Sequence, residues 1–328
     1  MRAPGFWSGG GGVLPLLLSP IASVYAGVTA RRMATPGWRA SVPVICCGNA
    51  TTGGAGKTTL ALDIGARLAA RGVGAHFLLR GYGGRLRGPV RVDQETHTAA
   101  DVGDEALLLA QFRPTWVAGD RAAGARAAVD ALAQVIVMDD GLQNPTLEKD
   151  LSLLTIDGSF GFGNGHVIPS GPLREPVAAA AARCQAAVLI GPDETGALAA
   201  LPPHLPVLRA RLVPGPEAAG LAGRAVMAFC GIGNPSKFFA TLVEAGATLA
   251  GRTSFADHYP FDDGDMETLL REAASLRATP VTTRKDFVRI PQKFRAAVTV
   301  VSVGLEWAES SEIEALLEPM ALRLPLAL

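Results

Sequence analysis

A glycine-rich loop that ends in lysine and threonine is the first stretch of this chain whose residue types could do chemistry. The apolar run 42–47 predicts a buried strand, residues 51–59 read TTGGAGKTT, and a helical pattern follows. Such a strand, loop and helix hold phosphates in P-loop proteins, because glycine lets backbone N–H groups turn inward. Thr51 replaces the first glycine of the general pattern. The predicted nucleotide-binding residues are Thr51, Thr52, Gly53, Gly54, Ala55, Gly56, Lys57, Thr58 and Thr59.

Two adjacent carboxylates, Asp139 and Asp140, directly follow the apolar run 135–138. An acidic residue at this place can reach the Mg²⁺ that the threonine of a P-loop holds. Lys57 would then contact the outer phosphates, and Thr58 would bind the metal. Asp-Gly is also a turn signal, so a solvated turn is the alternative. The position of the pair after a buried strand, downstream of the loop, favours the metal interpretation.

Composition limits the class of protein. Of the 328 residues 48% are hydrophobic, and Lys+Arg and Asp+Glu number 30 each. Zero net charge provides no general attraction to nucleic acid, so no nucleic-acid partner is expected. The four cysteines lack C-x-x-C spacing and signal neither a zinc site nor a disulfide framework. A globular protein in a reducing, cytoplasmic setting fits best.

Strands and helices alternate from residue 42 onward, which predicts an α/β fold with a doubly wound, mostly parallel sheet of the P-loop NTPase type. Ligands of such sheets lie at the carboxyl ends of the strands. A Pro/Gly-rich stretch at 201–223 indicates a boundary. We predict an N-terminal amphipathic helix within 1–40, a nucleotide-binding core at 41–222 and a smaller α/β subdomain at 223–328.

The N-terminal segment has three interpretations. Its larger apolar residues share one face of a predicted helix, and two arginines close the segment. The apolar run 13–28 is shorter than the ~20 residues that span a bilayer. A cleaved signal peptide would separate the P-loop from its nucleotide, which leaves a helix packed on the core or one in the membrane interface. The residues concerned are Leu14, Leu17, Leu18, Ile21, Tyr25, Val28, Arg31 and Arg32.

Three later motifs carry little information by spacing alone. The sequence GIGN at 231–234 lacks the third glycine of a dinucleotide fingerprint. His258 lies between aromatic residues, and a lone histidine is usually structural or exposed. The loop 160–176, which contains Arg174 and Glu175, has the composition of an ordinary connection before a helix.

Taken together, the motifs resemble those of the tetraacyldisaccharide 4′-kinase family over nearly the whole chain. GK[ST] alone is common, whereas the ordered series is specific. It comprises TTGGAGKTT at 51–59, LRGYGG at 79–84, VGDEALLLA at 102–110, GDR at 119–121, DDGLQN at 139–144, PSGPLREP at 169–176, CGIGNPSKFF at 230–239, ADHYPF at 256–261 and TTRKD at 282–286.

The resemblance implies transfer of the γ-phosphoryl group of ATP, with Mg²⁺, to the 4′-hydroxyl of a tetraacyl disaccharide 1-phosphate. This acceptor is the disaccharide precursor of lipid A. It also implies a peripheral protein on the cytoplasmic face of the inner membrane of a Gram-negative bacterium. The interfacial interpretation of the N-terminal helix is favoured accordingly.

The matching positions imply roles for individual residues. Asp104 resembles the catalytic base of the family, oriented by His258, with Lys57 and Arg121 stabilising charge. The candidates for substrate binding are Arg80, Tyr82, Glu105 and Arg174, and those for the metal are Thr58, Asp139, Asp140, Gln143 and Glu175.

Two alternatives and four departures accompany this interpretation. A membrane-associated switch ATPase would have lysine where Thr52 stands, and a soluble small-molecule kinase would pack the N-terminal helix in its core. The family more often has other residues at Thr59, Leu79, Asn144 and Arg284. None of these departures removes a proposed phosphate or metal ligand.

Overall fold

Two β-sheets organise the chain, which a computed structural model describes for residues 4–9 and 12–322. Short apolar runs bounded by glycine and polar residues form the strands, as expected for buried parallel strands. The strands are β1 Val44–Gly48, β2 Ala75–Leu79, β3 Val90–Arg91, β4 Thr115–Val117, β5 Val135–Asp139, β6 Leu151–Asp157, β7 Ala186–Ile190, β8 Val207–Pro214, β9 Ala225–Cys230, β10 Thr248–Ser254, β11 Thr279–Thr283, β12 Thr299–Val301 and β13 Val303–Trp307.

Helices connect most of these strands. The α-helices are α1 Val13–Met33, α2 Lys57–Ala70, α3 Ala99–Val102, α4 Asp104–Ala110, α5 Arg121–Asp130, α6 Val177–Ala181, α7 Pro235–Glu244, α8 Asp263–Ser275, α9 Arg284–Phe287, α10 Gln292–Arg295 and α11 Ser310–Leu322. Short 3₁₀ helices cover Gly5–Ser8, Ala197–Ala200 and Pro216–Leu221.

The larger sheet has the strand order β13-β8-β7-β6-β1-β5-β2-β4-β3 within the described residues. Only its edge pairs, β3 with β4 and β8 with β13, are antiparallel. Successive side chains of β1 point to opposite faces, where Ile45 packs with α2, α4 and α11 and Cys46 packs with α5 and α6. The predicted α/β fold with a doubly wound, mostly parallel sheet is confirmed.

The central strand β1 lies between β5 and β6. The glycine loop follows β1, and Asp139 ends β5 in register with Cys47. Because parallel strands end at the same edge of a sheet, the loop and the acidic pair are neighbours. Their predicted proximity thus follows from the strand order.

The smaller sheet, β10-β9-β11-β12, is parallel throughout. Helix α7 packs on one face and α8 on the other. The chain then returns to the larger sheet after Ser302, since β13 pairs with β8 and α11 packs in its core through Ile313 and Leu317. The prediction of one subdomain over 223–328 is therefore wrong for residues 303–322, because these residues pack with the larger sheet.

The N-terminal helix α1 extends over 21 residues and is apolar. By length and composition it could cross a membrane, which for one helix near an N-terminus is weak evidence. Only Pro15 and Ala22 of this helix are buried, so the interpretation of it as a helix packed on the protein core is wrong. The description as amphipathic also needs correction. Small residues such as Ser19 and Ser23 form its other face, which carries no charge, and Leu16 and Val24 are exposed beyond the predicted residues.

Candidate active site

The glycine loop joins the end of β1 to the start of α2 and opens into a large cleft between the two subdomains. Gly53 has φ +136° and Gly56 has φ +84°, conformations that favour glycine. A Cβ on Gly53 or Gly54 would meet nothing within 4 Å, so the loop leaves open space for a ligand. Lys57 Nζ donates to Asn49 Oδ1 at 3.1 Å and to the Gly53 carbonyl at 3.3 Å. The lysine thereby lies across the loop, where phosphates would replace these acceptors.

Thr58 and Asp139 meet at the floor of the cleft. Thr58 Oγ1 donates to Asp139 Oδ2 at 2.7 Å. The other oxygen, Oδ1, is buried without a hydrogen-bond partner among the described residues. Burial raises the pKa of Asp139 to about 6, although Lys57 opposes the shift. A hydroxyl and an unpaired carboxylate oxygen beside a phosphate loop fit Mg²⁺, a hard cation that prefers oxygen ligands.

Asp140 lies beside this pair in a left-handed conformation with φ +57°. Its two carboxylate oxygens accept from Arg174 at 2.6 and 3.1 Å, and Lys57 Nζ is 3.7 Å away. Burial would raise the pKa of Asp140, but Lys57 and Arg174 outweigh it and lower the pKa to about 2. Asp140 therefore remains ionised and holds two cations near the loop.

Gln143 and Glu175 lie side by side, but only Gln143 reaches the cleft. Gln143 Nε2 donates to Glu175 Oε1 at 2.8 Å. Both oxygens of Glu175 also accept from Arg183, at 2.6 and 2.7 Å, and the residue is 2% exposed. The prediction of Glu175 as a metal ligand is not supported, because its oxygens are occupied by a buried ion pair behind Gln143.

Asp104 and His258 form a pair across the subdomain boundary. Asp104 is the first residue of α4, beside the larger sheet, and His258 lies in the loop after β10 of the smaller sheet. His258 Nδ1 is 2.8 Å from Asp104 Oδ2, and Asp104 is 3% exposed. Burial would raise the pKa of Asp104, but the hydrogen bond with His258 and the charge of Lys285 hold it below its usual range. The same hydrogen bond raises the pKa of His258.

Lys285 packs against this pair. Its Nζ lies 2.9 Å from Glu105 Oε1 and 3.4 Å from His258 Nε2. Burial, with the charge of Asp104, raises the pKa of Glu105 to about 7 although Lys285 opposes the shift. Asp104, Glu105 and His258 have the spacing of a possible metal site. The ammonium group of Lys285 within the cluster makes a second cation there unfavourable.

The remaining predicted residues border the same cleft. Arg121 is buried, donates to the carbonyls of Ala118 and Gly119, and has a pKa that burial lowers to about 10. Arg80 is exposed, and the ring of Tyr82 lies 5.9 Å from that of His258. The structure thus brings together the loop, the acidic pair, the arginines and the Asp104–His258 pair.

Three residues of this site received no role from the sequence. Asn49 contacts Lys57, and Lys285 and Arg289 surround Asp104 and His258. The signal for Asn49 was its place between the central strand and the loop. The signal for the two cations was that Lys285 belongs to TTRKD and Arg289 follows it by four residues, about one helical turn.

A glycine loop that ends in Lys57 and Thr58, the Thr58–Asp139 contact and a buried carboxylate–histidine pair in one cleft define a P-loop phosphotransferase. The family profile described as tetraacyldisaccharide-1-P 4′-kinase matches residues 14–321. The chain belongs to this family, as its motifs predicted.

Individual relatives agree with this assignment. A tetraacyldisaccharide 4′-kinase of Gluconacetobacter diazotrophicus is 58% identical over 319 residues, which cover 97% of this chain and 98% of the relative. One of Rhodospirillum rubrum is 53% identical over 331 residues, with 99% and 100% covered. A solved structure of LpxK from Aquifex aeolicus in complex with ATP has a TM-score of 0.75 and 22% identity and covers 94% of this chain and 99% of its own. That likeness supports the fold.

Proposed function

We propose that this protein transfers the γ-phosphoryl group of ATP to the 4′-hydroxyl of a tetraacyldisaccharide 1-phosphate, a step in lipid A formation. Membership of the kinase family supports the reaction class and the acceptor. The observation that carries the proposal is the buried Asp104–His258 pair in the same cleft as the phosphate loop. In P-loop switch proteins a neutral amide side chain can orient the attacking water, so a buried carboxylate–histidine pair favours a bound alcohol as the nucleophile.

Asp104 is the proposed proton acceptor. A sugar hydroxyl is a poor nucleophile at neutral pH, so a base within hydrogen-bond reach must take its proton as the new P–O bond forms. The low pKa of Asp104 keeps it ionised, and the bond from His258 Nδ1 orients the carboxylate. Because the pKa of His258 is raised, the imidazole can share the accepted proton. The pair therefore acts as one proton-accepting unit.

The developing charge on the phosphoryl group would meet cations from several elements. Lys57 is proposed to contact the outer phosphates, and Arg121 and Arg174 to stabilise charge in the transition state. Thr58 and Asp139 would hold Mg²⁺, with Gln143 beside them. When bound, Mg²⁺ neutralises phosphate oxygens and favours the in-line geometry of transfer. Arg80, Tyr82 and Glu105 are proposed to contact the acceptor, since all three border the cleft and Tyr82 and Glu105 lie near His258.

The protein is further proposed to sit on the cytoplasmic face of the inner membrane through α1. Large apolar side chains of this helix are exposed, including Leu16 and Leu17 with 68% and 69% of their surface accessible. Arg31 and Arg32 in its last turn would lie near anionic head groups. Tyr25 and Arg32 also border the cleft, so a lipid substrate could pass from this helix to the site.

The reaction is tested by incubating the full chain with γ-labelled ATP, Mg²⁺, detergent and the lipid A disaccharide precursor. We expect label in the lipid, at the 4′ position. Release of labelled inorganic phosphate without labelled lipid would favour a switch ATPase instead. Labelling of a soluble sugar in preference to the lipid would favour a small-molecule kinase.

Deletion of residues 1–35 is expected to abolish sedimentation with vesicles that contain anionic lipid. A matched variant tests the apolar face itself: replacing Leu16, Leu17, Ile21 and Val24 by serine keeps the helix length and charge. This variant should lose at least ~10-fold in vesicle partitioning, because each buried methylene group contributes about 0.8 kcal/mol. Truncated protein that still sediments with the vesicles would contradict the proposed anchor.

A further inference from the structure

Arg289 connects both members of the Asp104–His258 pair. Its Nε lies 3.6 Å from Asp104 Oδ2, the oxygen that also meets His258. Its Nη1 donates to the Tyr259 carbonyl at 3.1 Å, and its Nη2 donates to the Gly231 carbonyl at 2.9 Å. One guanidinium therefore contacts a carboxylate beside the larger sheet and two carbonyls around the histidine loop.

The histidine loop needs such support. His258 has φ +60°, a left-handed conformation that is unfavourable for a non-glycine residue and persists only where its surroundings hold it. Its N–H donates to the Gly231 carbonyl at 3.1 Å, the same oxygen that accepts from Arg289. Arg289 thus holds the acceptor that fixes the backbone of His258, and through Tyr259 it holds the next residue as well.

Arg289 is buried, which makes its polar contacts energetically important. The Arg289 side chain is 4% exposed, and its Nε has no hydrogen-bond partner within the described part of the chain. Asp286, which is fully buried, binds Nη2 and accepts from the Gly231 N–H at 2.8 Å. A buried hydrogen-bond donor without an acceptor is unfavourable. A closer approach of Asp104 to Nε would remove this penalty and is therefore stabilising. Approach of Asp104 and placement of His258 are therefore coupled through one side chain.

We propose that Arg289 is a positioning residue that holds the catalytic carboxylate and the histidine loop in register across the subdomain boundary. The proposal rests on the function proposed above. Arg289 acts through Asp104 and His258 and need not touch the substrate. Removal of the Arg289 side chain should consequently affect the chemical step more than the binding of ATP. The loop proposed to bind the phosphates of ATP lies between β1 and α2, away from Arg289 in the chain.

A double-mutant cycle separates positioning from a purely structural role. Arg289→Met should lower kcat by ~10–10²-fold and change the KM for ATP by less than ~3-fold. In the Asp104→Asn background the same substitution should cost less than ~3-fold in kcat, because the partner through which it acts is already lost. Equal losses in the two backgrounds would overturn the proposal. Unchanged kcat in Arg289→Met would overturn it as well.

Two variants control for stability. Arg295→Met removes a neighbouring arginine whose bonds go to the Ile290 and Val288 carbonyls and not to the pair. It should leave kcat within ~3-fold even where the melting temperature falls. Arg289→Lys keeps the charge without the planar fork and should recover part of the lost kcat. If Arg289→Met does not fold, the cycle is run with Arg289→Lys, and additive losses there overturn the proposal.

A readout independent of activity distinguishes failure of this inference from failure of the proposed function. His258 is faced by Asp104, Asp257, Glu105, Lys285 and the ring of Tyr82. Histidine NMR of the full chain should show a His258 pKa above the ordinary ~6.5 that falls towards it in Arg289→Lys, because the bond to Asp104 weakens while the positive charge beside the pair is kept. An unchanged pKa in that variant would overturn the positioning role even if the wild-type protein labels its lipid. Absence of lipid labelling together with the expected fall would overturn the function alone.

Discussion

Asp104→Asn is expected to lower kcat by ~10²–10⁴-fold while the KM for ATP changes by less than ~3-fold. Asparagine fills the same volume at a residue that is 3% exposed, so the loss reflects chemistry rather than packing. The amide cannot accept the proton of the acceptor hydroxyl, and it lacks the charged hydrogen-bond acceptor that raises the pKa of His258. Steady-state kinetics with γ-labelled ATP and the lipid acceptor, followed over a range of ATP concentrations, measures both quantities.

Asp101→Asn is the matched control for this experiment. Asp101 precedes Asp104 by three residues and is also buried, but its carboxylate caps α3 through Thr98 and pairs with Arg85. Its loss should lower the melting temperature and leave kcat within ~3-fold. Near-normal turnover in Asp104→Asn would remove Asp104 from the role of base. A comparable fall in kcat for Asp101→Asn would mean that any loss of negative charge near α3 and α4 lowers turnover. The effect of Asp104→Asn could then not be attributed to loss of a base.

Lys57→Met is expected to reduce kcat/KM for ATP by ~10²–10³-fold, with contributions from both parameters. Methionine preserves much of the stem, but it cannot donate to phosphate oxygens. In the structure Lys57 already spans the loop, bound to Asn49 and Gly53 with Asp140 at 3.7 Å, so the ammonium group is positioned before nucleotide arrives. Binding of a fluorescent ATP analogue, together with initial rates, divides the effect between affinity and turnover.

Lys293→Met serves as the control for loss of a lysine. Lys293 is exposed and pairs with Asp263 on the surface of the smaller subdomain. An exposed ion pair of this kind contributes little to stability, so the rate constants of Lys293→Met should match those of the wild type. If Lys57→Met kept normal kcat/KM, the glycine loop would not be the phosphate site.

The glycine loop and the contact of Thr58 with Asp139 were predictable because each depends on a short stretch of sequence. The bounds of α2 and β2 agree with their hydrophobic patterns, and the loop between β1 and α2 was recognisable from its glycines. Asp139 could be placed beside Thr58 because Asp139 ends β5 and the glycine loop before Thr58 follows β1, and neighbouring parallel strands end at one edge of the sheet. The motif series likewise sufficed for the family.

Other features could not be read locally. Glu175 belongs to a motif that suggested a metal role, yet its oxygens pair with Arg183 eight residues further on. The return of β13 to the larger sheet, one residue after β12, follows from pairing with β8. Helix α1 was expected to be amphipathic, and it is apolar with an uncharged second face. For Glu175 and β13 the deciding partner lies outside the segment that was read, whereas the uncharged second face of α1 is a property of its own residues.

The sequence by itself determined the alternation of strands and helices, the phosphate loop and the kinase family, because these depend on periodicity and on residues close in the chain. The family resemblance implied that His258 orients Asp104, but only the tertiary structure shows how two residues 154 positions apart meet at 2.8 Å. The tertiary structure also decided that Lys285 and Arg289 enclose them. The physical reason is that two subdomains contribute the groups, and only their packing brings buried charges of opposite sign into contact.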